Sequence, residues 1–93
     1  MNQKLTNRLC LKFAADVVGI PQTRADFEEY LNGRGLESTF VPKALAYLTS
    51  AGFFERCEKT AASVPMWKCT AKGVRQAARE VPADELDPMI WES

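Results

Sequence analysis

The sequence predicts a mainly helical α+β domain with one small β-hairpin, and three observations lead to that prediction. Apolar residues recur at helical spacing in four separate stretches of the chain. The third stretch ends at Gly52 and runs directly into Phe53 and Phe54, a pattern typical of a helix that turns into a strand. A second extended stretch, residues 64–69, follows a small polar segment and returns toward the first. The 93 residues leave room for one such domain.

The first helix is predicted over residues 3–18. An apolar residue stands at every fourth position and gives the helix one buried face: Leu5, Leu9, Phe13 and Val17. Val18 lies beside this stripe. Gly19 suits the left-handed conformation that ends many helices, and Pro21 cannot continue the hydrogen-bond ladder. We expect Ile20 to pack beneath the turn.

The second helix is predicted from Thr23 to about Asn32. Thr23 can cap the first turn, and Asp26 stands where the acid of a capping box meets the first amides. Three residues form the buried face: Phe27, Tyr30 and Leu31. The segment 32–35 contains two glycines and therefore predicts a tight turn into the next helix, with Leu36 beneath it.

The third helix is predicted over about residues 39–51. Its buried stripe consists of Val41, Leu45 and Leu48. Two start sites fit the sequence. Either Ser38 or Thr39 caps the helix, or the helix begins near Val41 with Pro42 in its first turn, where the missing amide costs little. The opposite face of this helix is available to contact another molecule.

The two strands of the hairpin follow this helix. Residues 53–59 and 66–70 are predicted to pair about a centre near Ser63. Trp67 and Cys69 then share the strand face that packs on the helices. Thr70 is predicted to cap a fourth helix over residues 71–80. The inward positions of that helix are predicted to be Val74, Ala77 and Ala78.

The three cysteines leave two alternatives open. With the hairpin centred near Ser63, Cys57 and Cys69 lie nearly opposite each other, which allows a cross-strand disulfide or redox switch. The alternative is that they are reduced, small core residues, as is usual in a cytoplasmic protein. Because the cysteines lack close pairs and the chain has no histidine, the sequence predicts no metal site. No catalytic motif or cofactor-binding loop is recognisable, so we expect neither an enzyme nor a bound cofactor.

Charge is distributed unevenly along the chain. Residues 1–79 hold all 12 Lys and Arg and 7 acidic residues, a net +5, whereas residues 80–93 hold five acidic residues and no base. We therefore predict a folded domain over residues 1–82 and an acidic C-terminal tail over residues 83–93. The tail ends in an apolar triplet that we expect to dock on another surface: Met89, Ile90 and Trp91. The polar N-terminus has no export signal, which predicts a cytoplasmic protein.

Three segments carry a resemblance to a known family. Residues 35–41 (GLESTFV) are similar to a turn into a recognition helix, and residues 45–56 (LAYLTSAGFFER) to the end of that helix and the first wing strand. Residues 66–73 (MWKCTAKG) are similar to a second wing strand that leads into a threonine-capped helix. In this order, across about residues 23–80, the chain resembles winged helix-turn-helix regulators of the MarR, ArsR and PadR type.

The resemblance implies a small transcriptional regulator that binds double-stranded DNA as a homodimer. The third helix (about residues 39–51) is expected in the major groove and the hairpin (about residues 53–70) along the backbone or minor groove. Helix residues expected near bases or phosphates are Ser38, Thr39, Lys43, Ala46 and Tyr47. Lys59 is expected near the wing tip, and Arg34, Arg24 and Lys68 are further candidates for phosphate contacts.

The chain departs from the family pattern in its charge. Lys43 is the only base of the third helix, and the wing loop, residues 60–63, is Thr-Ala-Ala-Ser. Few phosphate contacts predict weak binding by a monomer, and a dimer would double them. The neutral overall charge leaves an alternative open, a winged-helix module for protein interaction, such as an adaptor or a phage-type accessory factor.

Overall fold

The fold is a winged helix-turn-helix, as predicted. The computed structural model describes residues 3–59 and 64–80, without the side chains of Glu58, Lys59 and Glu80. The predicted wing tip and the docking triplet Met89, Ile90 and Trp91 lie outside this range, and the boundary at residue 82 stays a prediction. The described elements, in chain order, are α1 (Gln3–Asp16), β1 (Gln22–Thr23), α2 (Arg24–Gly33), α3 (Val41–Ser50), β2 (Phe54–Lys59), β3 (Val64–Cys69) and α4 (Ala71–Glu80).

The core joins the helices to the sheet through a group of aromatic rings. Phe27 of α2 is fully buried and meets Phe13 of α1 edge-on, with ring centroids 5.3 Å apart. Its ring also lies 5.6 Å from that of Phe54 in β2. The ring of Tyr30 stacks on that of Phe13, with the two centroids 4.7 Å apart. These rings join α1, α2 and β2, and the buried stripe of α3 packs into the same core.

The turn into α3 confirms one of the two predicted start sites. The helix begins at Val41 with Pro42 in its first turn, and its cap, Phe40, makes no side-chain hydrogen bond. The other prediction, in which the side chain of Ser38 or Thr39 caps the helix, was therefore wrong. A backbone turn takes its place, because the amide of Val41 donates to the carbonyl oxygen of Ser38 at 3.1 Å.

The end of α3 follows the glycine signal in the sequence. Gly52 has a φ of 84°, in the left-handed region. Its amide donates to the carbonyl oxygen of Thr49 at 3.0 Å, and the amide of Phe53 donates to the carbonyl oxygen of Leu48 at 2.9 Å. This is the Schellman arrangement, which satisfies the last carbonyls of the helix and directs the chain into β2.

The connection between α1 and α2 differs from the prediction. Helix α1 ends at Asp16 rather than at residue 18. Val18, predicted beside the buried stripe, is 52% exposed, and Ile20 is 59% exposed instead of packed beneath the turn. The reason is an unpredicted strand. Gln22 pairs with Trp67 across β1 and β3, so the chain leaves the helix early to reach the sheet, whose strand order is β1-β3-β2. The capping box of Thr23 and Asp26 that follows is confirmed by both of its hydrogen bonds.

The register of the hairpin was predicted wrongly. Phe54 pairs with Cys69, and Cys57 pairs with Met66. Cys57 and Cys69 therefore lie on opposite faces of the sheet, because side chains alternate along a strand. A cross-strand disulfide between them is incompatible with this register. Trp67 and Cys69 do share the face that packs on the core, as predicted.

Helix α4 is rotated relative to the prediction. Ala77 is buried, but Val74 is 36% exposed and Ala78 is also exposed. The reason is the position of Gly73, which packs so closely on Phe53 and Cys69 that it sets the face turned toward the sheet.

Thr70 connects α4 to the end of α3. Its hydroxyl donates to the carbonyl of Gly52 at 2.7 Å and accepts from the amide of Gly73 at 3.1 Å, so it caps α4 as predicted. Thr70→Ala removes both bonds and is expected to lower the free energy of unfolding by about 1–2 kcal/mol. Thr70→Ser, which keeps the hydroxyl, is the control. Urea denaturation measures the difference, and equal losses in the two variants would contradict the role of the hydroxyl.

The buried cysteines predict a pH dependence of stability. Burial raises the pKa of Cys10 from 9.0 to about 12 and also raises the pKa of Cys69. The folded state thus favours the protonated thiol. The contribution of Cys10 is complete below the unfolded pKa near 9.0 and decreases as the pH rises toward about 12. We expect the free energy of unfolding of wild type to decrease more steeply over this range than that of Cys10→Ala.

Thiol labelling at pH 8 provides a second measurement. Cys57 is half-buried on the outer sheet face, whereas Cys10 and Cys69 are buried. Cys57 is expected to react in the native protein, and the other two only after unfolding. Rapid native labelling of Cys10 would show that the core opens far more readily than its packing implies.

Candidate nucleic-acid interface

The outer face of α3 presents a surface of small and polar side chains. It lies opposite the buried stripe of Val41, Leu45 and Leu48. Its exposed residues are Pro42, Lys43, Ala46, Tyr47 and Ser50. The ring of Tyr47 is 55% exposed although it stands beside the buried Leu48. The face therefore offers one ammonium group and one phenol, and its small side chains allow close approach.

A cleft borders this face on the side of the sheet. Its volume is about 440 Å³, and its lining residues are Arg24, Pro42, Leu45, Ala46, Thr49, Ser50, Arg56 and Trp67. We call it the arginine cleft. Arg24 opens α2 and pairs with Glu28 at 3.6 Å, with 60% of its side chain exposed. Arg56 stands on β2 directly across from Trp67 of β3. Two guanidinium groups thus flank an apolar wall that includes an indole ring.

A smaller recess borders the same face on the side of α1. Its volume is about 150 Å³, and its lining residues are Lys4, Asn7, Arg8, Tyr47, Leu48 and Phe53. Helix α1 is held against the start of α3 by Gln3, whose side-chain amide donates to the carbonyl of Phe40 at 3.2 Å. This contact helps to place Lys4 and Arg8 beside Tyr47.

The two recesses share an electrostatic property. Within the described part of the chain, neither is lined by an acidic residue. Two neighbouring hollows differ, since one includes Asp26 and Glu29 and another includes Glu28. Cations from α1, α2 and β2 therefore converge on the outer face of α3, which supplies only Lys43 itself. Such a surface attracts a polyanion.

Several of the predicted contact residues lie on this surface. Lys43, Ala46 and Tyr47 are exposed on α3, and Ala46 lines the arginine cleft. Thr39 is exposed in the preceding turn, and Ser38 is half-buried there. Their contact with DNA stays a prediction.

Other predicted residues lie elsewhere or beyond the description. Arg34 sits over the ring of Tyr30, 5.4 Å from its centroid, at the end of α2. Burial raises the pKa of Tyr30 against the opposing effect of Arg34. Lys68 pairs with Glu55 at 3.7 Å on the outer face of the sheet. Lys59 is the last residue of β2, opposite Val64, and its side chain is not described.

Sequence reasoning missed three cations near α3: Lys4, Arg8 and Arg56. The spacing of Lys4 and Arg8 is one signal that was available, because residues four apart share a helix face. Arg56 alternates with Phe54 and so lies on the core-facing side of β2. Its place beside α3 depends on how helix and sheet pack, which the sequence pattern does not specify.

Among residues 3–59 and 64–80, no group of three or more His, Cys, Asp or Glu side chains could hold a metal ion. No helix in that part of the chain is both long and apolar enough to cross a membrane.

Comparison with known proteins gives a structural neighbour. No protein-family model matches the chain, and no curated protein sequence matches it. Among solved structures, the chain is similar to a mutant form of ZitR from Lactococcus lactis in its apo form, with a TM-score of 0.69 and 23% identity. The match covers 98% of this chain but only 65% of ZitR. At this level of identity the similarity establishes the winged helix-turn-helix fold.

Proposed function

We propose that this chain is a DNA-binding transcriptional regulator that places α3 in the major groove and the β2–β3 hairpin along the neighbouring backbone. The observation that carries the proposal is the convergence of cations on the outer face of α3. Arg24 and Arg56 flank it on one side, and Lys4 and Arg8 on the other. The winged helix-turn-helix fold, shared with ZitR, supports the same placement of α3.

The chemistry of the surface divides into two parts. The flanking cations suit phosphates, which fix the position of a protein on the duplex but carry no direct sequence information. The central residues suit base edges. Lys43 can donate to guanine acceptors, and the side chains of Ala46 and Pro42 leave room for a thymine methyl group. The phenol of Tyr47 can donate to a phosphate oxygen.

The number of cations limits the affinity of one copy. Four phosphate contacts, from Lys4, Arg8, Arg24 and Arg56, would give a slope of about −3.6 in log affinity against log salt concentration. Binding as a homodimer to two half-sites about one helical turn apart would double the contacts. We therefore propose that the functional unit is a homodimer.

Fluorescence anisotropy of labelled genomic duplex fragments, titrated at several salt concentrations, tests the proposal. Arg24→Gln/Arg56→Gln removes two cations from the arginine cleft and is expected to reduce the salt slope by about 2 per bound copy. The matched control is Arg75→Gln/Arg79→Gln on the exposed face of α4, with the same change in net charge. Equal weakening by the two variants, or no saturable binding at low salt, would contradict the proposal.

The walls of the arginine cleft favour a second candidate, a protein-interaction module. Pro42, Leu45, Ala46 and Trp67 give the cleft an apolar wall beneath its two arginines. Aromatic and arginine side chains are enriched in protein interfaces. If the titration shows no salt-dependent DNA binding, this second function becomes the better one.

A further inference from the structure

The arginine cleft has the chemistry of a site for an acidic peptide that also carries apolar side chains. Two guanidinium groups can pair with carboxylates in a bidentate manner. Trp67 is half-buried beside them and offers an aromatic surface. A nucleic-acid backbone would use the charges of the cleft but not its apolar wall. The combination therefore suits a ligand with both features.

The C-terminal segment of the chain has both features. Residues 81–93 hold four acidic residues, Asp84, Glu85, Asp87 and Glu92, and no base. Three consecutive apolar residues stand between them: Met89, Ile90 and Trp91. All 12 Lys and Arg of the protein precede this segment. The negative charge of this segment thus complements the two arginines of the cleft, and its apolar residues complement the apolar wall.

The segment is long enough to reach the cleft. Glu80 lies nine residues along α4 from Ala71, a rise of roughly 14 Å, and Ala71 lies four residues from Trp67. Four residues span at most about 14 Å, so Glu80 is within roughly 28 Å of Trp67. The eleven residues from Glu80 to Trp91 can span about 36 Å. The chain therefore has more than the straight-line length it needs.

We propose that residues 83–93 bind in the arginine cleft of their own chain, with their carboxylates on Arg24 and Arg56 and Trp91 against the apolar wall. The effect on DNA rests on the proposed function, because the bound tail would compete with phosphates for the same two arginines. A site tethered to its ligand in this way has an effective concentration on the order of 1 mM. A contact with a Kd of about 0.1 mM between separate molecules would then be roughly 90% occupied.

Nuclear magnetic resonance without DNA tests the contact directly in the full chain. Asp84→Asn/Glu85→Gln/Asp87→Asn, the neutral-tail variant, is expected to shift the indole signal of Trp67 and the amide signal of Arg56. Trp91→Ala should shift the same signals. Arg24→Gln/Arg56→Gln should move the Trp91 indole signal to its position in an isolated peptide of residues 81–93. The matched control, Arg75→Gln/Arg79→Gln, should leave that signal in place.

Three results would overturn the contact. Cleft signals that do not respond to the tail variants would show that the cleft does not hold the tail. If Arg75→Gln/Arg79→Gln moved the Trp91 signal to its isolated-peptide position as well, the tail would be attracted only by the net charge of the domain. Shifts that disappear on tenfold dilution would show that the tail binds a second copy instead of its own chain.

A DNA titration separates this inference from the proposed function. If the tail occupies the cleft about 90% of the time, the neutral-tail variant should bind duplex DNA roughly 10-fold more tightly than wild type. Tail-dependent shifts without any DNA binding would support the contact and refute the proposed function. DNA binding without tail-dependent shifts would refute the contact alone. Tail-dependent NMR shifts together with an unchanged affinity for DNA would refute the competition between the tail and DNA.

Discussion

Gly73→Ala is expected to destabilise the protein by roughly 2–3 kcal/mol, against the usual preference of a helix for alanine. A Cβ at this position would lie 2.2 Å from the carbonyl oxygen of Phe53 and 2.6 Å from the Sγ of Cys69. The carbonyl cannot easily move, because it also accepts the amide of Thr70 at 3.0 Å. The variant must therefore separate α4 from the start of the wing or strain the backbone there.

Gly33→Ala is the matched control for this prediction. Gly33 is the last residue of α2, and a Cβ added to it meets nothing within 4 Å. Alanine there is expected to stabilise the protein by about 0.4–1 kcal/mol, because it restricts the unfolded chain. Thermal unfolding should show Gly73→Ala with a Tm roughly 10–20 °C below wild type. A Tm for Gly73→Ala equal to that of Gly33→Ala would mean that α4 packs less closely than the structure shows.

The close contact at Gly73 also bears on the candidate interface. Three features join the start of the wing to α4 and the end of α3: the hydroxyl of Thr70, the packing of Gly73, and Lys72, whose ammonium donates to the carbonyl of Ala51 at 2.9 Å. They fix the angle between α3 and β2. That angle determines where Arg56 stands relative to the exposed face of α3, so the spacing of the arginine cleft depends on contacts outside it.

Local signals explain why much of the fold could be predicted. The buried stripe of α3, the capping box at Thr23 and the left-handed Gly52 each depend on residues within about one or two helical turns. The spacing of apolar side chains and the types of capping residue can both be read directly from the sequence. These features gave the order of the helices and the hairpin.

Features set by distant contacts could not be predicted in the same way. Strand β1 has two residues and no pattern of its own, and it exists because Gln22 and Thr23 pair with Trp67 and Met66. The hairpin register depends on how its short connection closes, and the loop residues carry no glycine signal that fixes a turn type. The rotation of α4 depends on the fit of Gly73 against another element.

The same distinction applies to the candidate site. The exposed face of α3 follows from its helical period, so Lys43, Ala46 and Tyr47 could be selected from sequence. The low charge of that face, taken alone, predicts weak binding to DNA. The structure adds cations from remote parts of the chain, with Arg8 reaching the face from α1 and Arg56 from β2. Convergence of this kind requires tertiary packing.

Ala46→Glu is expected to lower the affinity for duplex DNA by about 10–100-fold at roughly 0.1 M salt. Ala46 is exposed on α3 and lines the arginine cleft. A carboxylate there would repel approaching phosphates and pair with the cations that should bind them. The fold should tolerate the change, because alanine and glutamate differ by only a few tenths of a kcal/mol at exposed helix positions.

Ala78→Glu on the exposed face of α4 is the matched control, with the same substitution and the same change in net charge. Anisotropy titrations should give nearly wild-type affinity for this variant, and urea denaturation should give similar stabilities for both. Because a glutamate at position 46 would also repel an acidic tail, the comparison is best made in the neutral-tail background. In that background, the loss of affinity caused by Ala46→Glu reflects the effect on DNA binding alone. Equal losses at positions 46 and 78 would indicate a general effect of charge and would remove α3 as the site of contact.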